Sequence, residues 1–169
     1  MGGDISKEIF KPSEPTYSLD FEGLIWIPSR DSDGELSRTK KHEIPAVFYE
    51  WRDNSLENRK PNFTVIYVTG PETDLGIWNR WLRELTHLLK VNILAFDTMG
   101  TGLHHGVGSE KQFLDDLSSV YTWLRLEKGV APQKILLWGR GIGTGPIVQL
   151  AAALGQLQQK PGRRGLFSR

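Results

Sequence analysis

The run Gly139-Arg140-Gly141-Ile142-Gly143 has the spacing of a G-x-S-x-G turn whose serine is missing. In such a turn a strand runs sharply into a helix. The outer glycines let the two elements pack closely, and the central serine presents its hydroxyl to a carbonyl. Here the strand reads as Ile135 to Trp138, buried, and the helix opens near Pro146. Gly141, at the centre, has no side chain and cannot be a nucleophile. Function has to be argued around that absence.

A glycine-rich turn entering a helix also suits an anion, because helix N-termini attract negative charge. The dinucleotide spacing needs a third glycine three residues after the second, and that position is Thr144. No Gly-Lys-[ST] follows, so a Walker A loop fails as well. Glycines inherited from a tight turn are the simpler reading. Of the four histidines, His42, His87, His104 and His105, all precede the turn. His87 falls among leucines at the polar edge of a helix. His104-His105 reads as a solvated loop pair, with no second ligand cluster to make a metal site. Asp97 stands at a strand end before Gly100-x-Gly102. Asp115 and Asp116 fall early in a helix, where they favour its dipole.

These residues need a scaffold, and 169 residues suffice for one domain with a real core. The pattern divides into an N-terminal arm (1–16), a domain (17–158) and a basic tail (159–169). Net charge is +1 with no block of like charges, which argues against nucleic acid. There is no cysteine, so disulfides, thiolate metal sites and cysteine catalysis are excluded. No apolar run reaches the ~18 residues of a membrane span. Met1-Gly2-Gly3-Asp4-Ile5-Ser6 matches the pattern for myristoylation of Gly2. One such chain binds membranes only marginally and reversibly. The expected location is therefore cytoplasmic with weak membrane association.

Strands are expected over Ser18 to Pro28, Ile44 to Trp51, Phe63 to Val68 and Val91 to Phe96, besides the one before the glycine turn. From Ile77 the period becomes helical, with Trp78, Trp81, Leu82, Leu85, Leu88 and Leu89 on one face. A second helix carries Phe113, Leu117, Val120, Tyr121 and Leu124, and a third runs through Ile147, Leu150, Ala151 and Leu154. Strands alternating with helices imply an α/β fold, a mostly parallel sheet with helices on both faces. The first two strands, joined without a helix, would form an antiparallel edge.

Several motifs together carry a family resemblance: Pro12-Ser-x-Pro-Thr-Tyr-Ser-Leu19, Ile44-Pro-Ala-Val-Phe-Tyr-Glu-Trp51, Asp74-Leu-Gly76, Ala95-Phe-Asp97, Ser109-Glu110, Leu137-Trp-Gly-Arg140 and Ile142-Gly-Thr-Gly-Pro146. Over roughly residues 12 to 155 the chain resembles the N-terminal half of the depalmitoylase-type α/β-hydrolase domain-containing proteins. These are serine hydrolases that remove palmitate from protein cysteines and attach to membranes through an acylated N-terminus. The resemblance implies an α/β-hydrolase fold truncated after the nucleophile-elbow strand and helix. It needs no cofactor and no metal.

By the same resemblance, Gly141 stands where the family has its serine. Thr69-Gly70-Pro71 stands where it has His-Gly-Asn. Pro71 then occupies an oxyanion-donor position without an N–H to donate, while the N–H of Ile142, the other donor, remains. The elbow glycines are Gly139 and Gly143. The family's acid and histidine follow the serine, and the 28 residues after Gly141 leave no room for them. Asp97 supports loop geometry.

Three readings follow. One is an inactive binding module, lipid-tethered through Gly2, that holds an acyl chain, an acylated protein or another chain. A second is a non-functional fragment. The third is an acyl-protein thioesterase completed only by residues of another chain. With its outer neighbour absent, the strand Lys134 to Trp138 would present an apolar edge that recruits a strand or aggregates.

Overall fold

A computed structural model describes residues 14–29, 43–53, 55 and 59–159. Gly2, His42 and the basic tail from residue 160 onward lie outside the described residues. The elements are β1 (Leu24–Pro28), β2 (Glu43–Tyr49), β3 (Thr64–Val68), α1 (Leu75–Leu89), β4 (Asn92–Phe96), α2 (Glu110–Leu126), β5 (Ile135–Gly139) and α3 (Thr144–Gln159). Short 3₁₀ turns at Pro132–Lys134 and Gly141–Gly143 bracket β5.

One five-stranded sheet runs in the order β1-β2-β4-β3-β5. β1 and β2 pair antiparallel, and β2 meets β4 antiparallel. β3, β4 and β5 are parallel, with Ile66 opposite Leu94 on one side and Leu137 on the other. β3 lies inside the sheet, between β4 and β5, and is buried throughout, as its Thr-Val-Ile-Tyr-Val sequence requires of a strand covered on both faces. The antiparallel entry and the parallel remainder agree with the sequence expectation.

Two hydrophobic layers sandwich the sheet. On one face Ile27, Ile44, Ile66, Val68 and Leu94 pack against Phe113, Leu117, Val120 and Leu124 of α2 and Ile147 and Leu150 of α3. On the other, Val47, Val65, Tyr67, Ile93 and Ala95 pack against Leu75 and Leu82 of α1, with Tyr17 alongside. α1 and α2 each begin at a side-chain cap. Asp74 accepts from the amide of Ile77, and Ser109 accepts from the amide of Gln112. α1 stops at Lys90, which takes the left-handed conformation at φ 56°.

Several sequence expectations need correction. The first strand begins only at Leu24, because residues around Ser18 to Gly23 form turns that carry Tyr17 into the core. α1 buries Leu75, Leu82 and Thr86, whereas Leu88 is 77% exposed. At 3.6 residues per turn Leu88 lies roughly 120° round the helix from Leu82, off the face that packs on the sheet. Ala151 of α3 also faces solvent. β5, expected to be buried, is covered on one face only: Leu136 is 44% and Trp138 40% exposed.

Candidate functional site

β5 delivers the chain to the C-terminal end of the parallel strands, where it turns. The amide of Arg140 donates to the carbonyl of Val68 at 2.8 Å, tying the turn to β3. The Gly143 amide donates to Arg140 O at 3.0 Å, and Thr144 Oγ1 donates to Gly141 O at 2.7 Å. The outer glycines are required by space. A Cβ on Gly139 would lie 2.7 Å from Thr144 Cα, and one on Gly143 would lie 2.7 Å from Val68 O. Both obstacles are backbone and cannot move aside.

Gly141 differs from its neighbours. Its φ is +55°, a strained conformation for any other residue, and a Cβ there would meet nothing nearer than Glu72 Oε1 at 3.9 Å. The turn therefore holds its central position open and pointed outward, with no side chain on it. Ile142, next in line, is 42% exposed.

The facing wall is Thr69-Gly70-Pro71-Glu72, at the end of β3. Pro71 is buried and its carbonyl accepts from Thr101 Oγ1 at 3.3 Å. Its ring nitrogen carries no proton. The Glu72 carboxylate folds back over Gly70, whose missing Cβ leaves it room, and reaches the space above Gly141. Sequence reasoning missed Glu72. A carboxylate here opposes any negative charge developing beside the turn.

Arg140 closes one flank. Its guanidinium lies 4.5 Å from the centroid of Trp78, whose Nε1 donates to Thr73 Oγ1 at 2.8 Å. Tyr67, Trp78, Trp81 and Trp138 form a continuous aromatic cluster with centroids 5.5–6.5 Å apart. The cavity beneath α1 at this end, lined by Thr69, Asp74, Trp78 and Asp97 among others, has a volume of about 10 Å³. That is room for one water and far short of an acyl chain.

Asp97 supports the loop as expected. It accepts from Tyr17 Oη at 2.5 Å and from the Leu75 amide at 2.9 Å. Burial pushes its carboxyl well above the usual range, and Asp74 nearby raises it further.

The histidine pair divides. His105 is exposed, but His104 is only 2% exposed, which corrects its reading as a solvated residue. Its Nδ1 lies 3.0 Å from Asp97 O, and since a carbonyl only accepts, Nδ1 carries the proton. Asp116 corrects another reading. It lies in the second turn of α2, fully buried, and so serves no helix dipole. Its Oδ1 accepts from Ser29 Oγ at 3.2 Å and from Gln112 Nε2 at 2.8 Å. Burial raises its carboxyl to about 7.

Ser29, Asp116 and His104 thus combine the residue types of a catalytic triad, but with the wrong connectivity. The aspartate stands between the other two, 3.7 Å from His104 Nδ1, and all three are sealed from solvent. A nucleophile needs its base as a direct neighbour and a path for substrate. This cluster pins the loop after β4 to α2 and to the end of β1. His87 is exposed on α1, beside an open polar groove of about 440 Å³ away from the elbow. Among the described residues no three His, Asp or Glu side chains gather as metal ligands. No described helix is long and apolar enough to cross a membrane.

No family model matches the chain. Curated proteins do. It is 30% identical over 163 residues to alpha/beta hydrolase domain-containing protein aho-3 of Caenorhabditis elegans, covering 88% of this chain and 47% of that protein. It is 29% identical over 164 residues to alpha/beta hydrolase domain-containing protein 17B of Homo sapiens, covering 87% and 55%. With protein 17C of Xenopus laevis the identity is 34% over 174 residues, covering 87% and 56%. This chain is a relative of the α/β-hydrolase domain-containing proteins. It spans about half the length of the curated relatives it matches.

Solved structures agree on the fold. An esterase of Pyrobaculum calidifontis superposes with a TM-score of 0.56 at 17% identity, over 81% of this chain and 41% of its own. XC6422 from Xanthomonas campestris, described as an α/β serine hydrolase without lid, gives 0.53 at 15%, over 82% and 60%. In this hydrolase relative the glycine turn stands where the fold presents a nucleophile, after a parallel strand and before a helix. The position is built and its side chain is absent.

Proposed function

We propose that this chain is a non-hydrolytic relative of the depalmitoylating serine hydrolases, working as a lipid-tethered binding module for acylated proteins. One observation carries the reading: Gly141 occupies the outward-pointing centre of an otherwise intact elbow. Pro71 adds to it, since loss of one oxyanion donor typically costs about 10²–10³ in rate. Glu72 adds an opposing charge at the same place. Tethering rests on Met1-Gly2 through Ser6. The water-sized cavity under α1 makes a buried acyl tunnel a poor match. The acylated partner is therefore held at the surface around Ile142 rather than swallowed.

The test is a palmitoyl-thioester peptide incubated with the full chain, beside a serine-directed fluorophosphonate probe. The expected result is retention of the acylated peptide over its unacylated form, with the thioester intact and the elbow unlabelled. G141S should also leave turnover at background, because Pro71 and Glu72 remain. Thioester cleavage by the unaltered chain would overturn the reading.

A further inference from the structure

We propose that the end of the sheet opposite the elbow is a docking surface for an anionic lipid bilayer. β3, β4 and β5 are parallel and start level, with Thr64 opposite Asn92 on one side and Ile135 on the other. The segments that lead into them therefore lie side by side. β2 runs the other way and finishes at Tyr49 opposite Ile93, which brings residues 50–53 to the same end. Neighbouring strands lie about 4.8 Å apart, so the four segments fall within about 15 Å across the sheet. Hydrogen bonds tie them together. The Asn92 amide donates to Phe63 O at 3.1 Å, and the Trp51 amide donates to Asn92 Oδ1 at 3.0 Å.

This end combines cations with uncovered apolar side chains. Lys60 precedes β3, Lys90 precedes β4, and Lys128 and Lys134 precede β5; all four are exposed. Lys128 is held over two rings, 4.7 Å from the centroid of Phe48 and 5.7 Å from that of Trp123. Two nearby acids already face arginines, Asp53 with Arg59 at 3.1 Å and Glu50 with Arg52 at 3.6 Å. Glu57 and Glu127 are the other carboxylates in these segments. Leu88, Leu126 and Phe63 belong to the same segments and are 77%, 59% and 41% exposed. The elbow end has no such excess of cations: the exposed Glu72 and Glu110 offset Lys111 and Arg140.

Lysines among exposed leucines suit a bilayer better than a soluble polyanion. Each cation near an anionic surface strengthens partition about fivefold, and apolar side chains enter the headgroup boundary, which a nucleic acid lacks. The surface works beside the Gly2 tether and does not depend on it. From Thr16, at the α1 cap, back to Gly2 is 14 residues, about 45 Å when extended. The 15 residues of α1 span only about 22 Å. An acyl chain on Gly2 and the basic end can therefore reach one bilayer, two weak signals acting together. The elbow then faces away from the lipid.

The experiment uses the full chain without a myristoyl group, floated with vesicles of phosphatidylcholine alone or mixed with phosphatidylserine. The expected result is partition onto the mixed vesicles only, lost at high salt as the charges are screened. On neutral vesicles the basic end contributes nothing, so partition there reads the Gly2 chain alone. K60Q and K90Q should each weaken partition about fivefold, and L88S should weaken it without any change of charge. K111Q removes the same charge at the elbow end and should leave partition unchanged. All four positions are exposed, so the thermal transitions should stay where they are. Equal partition onto neutral vesicles overturns the proposal, as does a K111Q loss equal to that of K90Q. Heparin binding that L88S leaves intact, with no partition onto the mixed vesicles, would overturn it in favour of a soluble polyanion.

Discussion

Tyr17 Oη donates to Asp97 Oδ2 at 2.5 Å, joining residues 80 positions apart. With Thr16 donating to Asp74 beside it, this fastens the start of the domain to the strand-end loop and to the α1 cap. Gly102 packs directly on the same carboxylate, and only a residue without Cβ can do so. Tyr17→Phe keeps the ring and orphans a buried carboxyl oxygen, which costs about 1–3 kcal/mol. Urea unfolding of the variant should show that loss with an unchanged slope. No loss would mean that water replaces the hydroxyl and that the tie is not structural.

The elbow glycines separate from other glycines by what surrounds them. Gly143→Ala drives a methyl against Val68 O and should destabilise by more than about 1 kcal/mol. Gly155→Ala, within α3 and with nothing within 4 Å, should stabilise by roughly 0.5–1 kcal/mol. The two melting temperatures should therefore move in opposite directions. Movement in the same direction would show that the elbow tolerates expansion.

Gly2→Ala removes the only residue to which a myristoyl group can attach in the matching pattern. The native protein should carry the mass of one myristoyl chain and partition weakly onto lipid vesicles. The variant should lose both properties. Equal partitioning by the variant would leave the binding-module reading without its tether.

The core of this fold was readable from residue periods alone. Thr64 to Val68 announces a strand buried on both faces, and Phe113 through Leu124 announces the buried face of α2. The turn at Gly139 to Gly143 was readable too, because strand, glycine spacing and helix each leave a local mark. What escaped depended on contacts distant in sequence. His104 looks like a solvated loop residue until the loop folds back and sets it beside Asp116. Asp116 looks like a dipole residue until α2 turns it inward against Ser29, 87 positions away. Glu72 escaped for a different reason: its effect at Gly141 depends on a side-chain rotamer that no pattern encodes. Leu88 misled because a run of leucines widens the apolar stripe beyond the face that packs, and Leu88 sits roughly 120° round the helix from Leu82.

The buried carboxyl of Asp116 makes stability depend on pH in a definite sense. Burial raises it from 3.8 to about 7, against the hydrogen bonds from Gln112 and Ser29, which lower it. Between those values the folded chain holds a proton that the unfolded chain has released. Stability from this group is therefore greatest below about pH 4, declines as pH rises toward 7 and is level above. Three pKa units correspond to a swing on the order of 4 kcal/mol. Asp97, also raised by burial, contributes in the same direction. Asp116→Asn keeps an acceptor for Ser29 and Gln112 and does not titrate. Unfolding free energies measured from pH 4 to 8 should therefore fall more steeply with pH for the unaltered chain than for the variant. Parallel curves would place the ionisation of Asp116 outside this window.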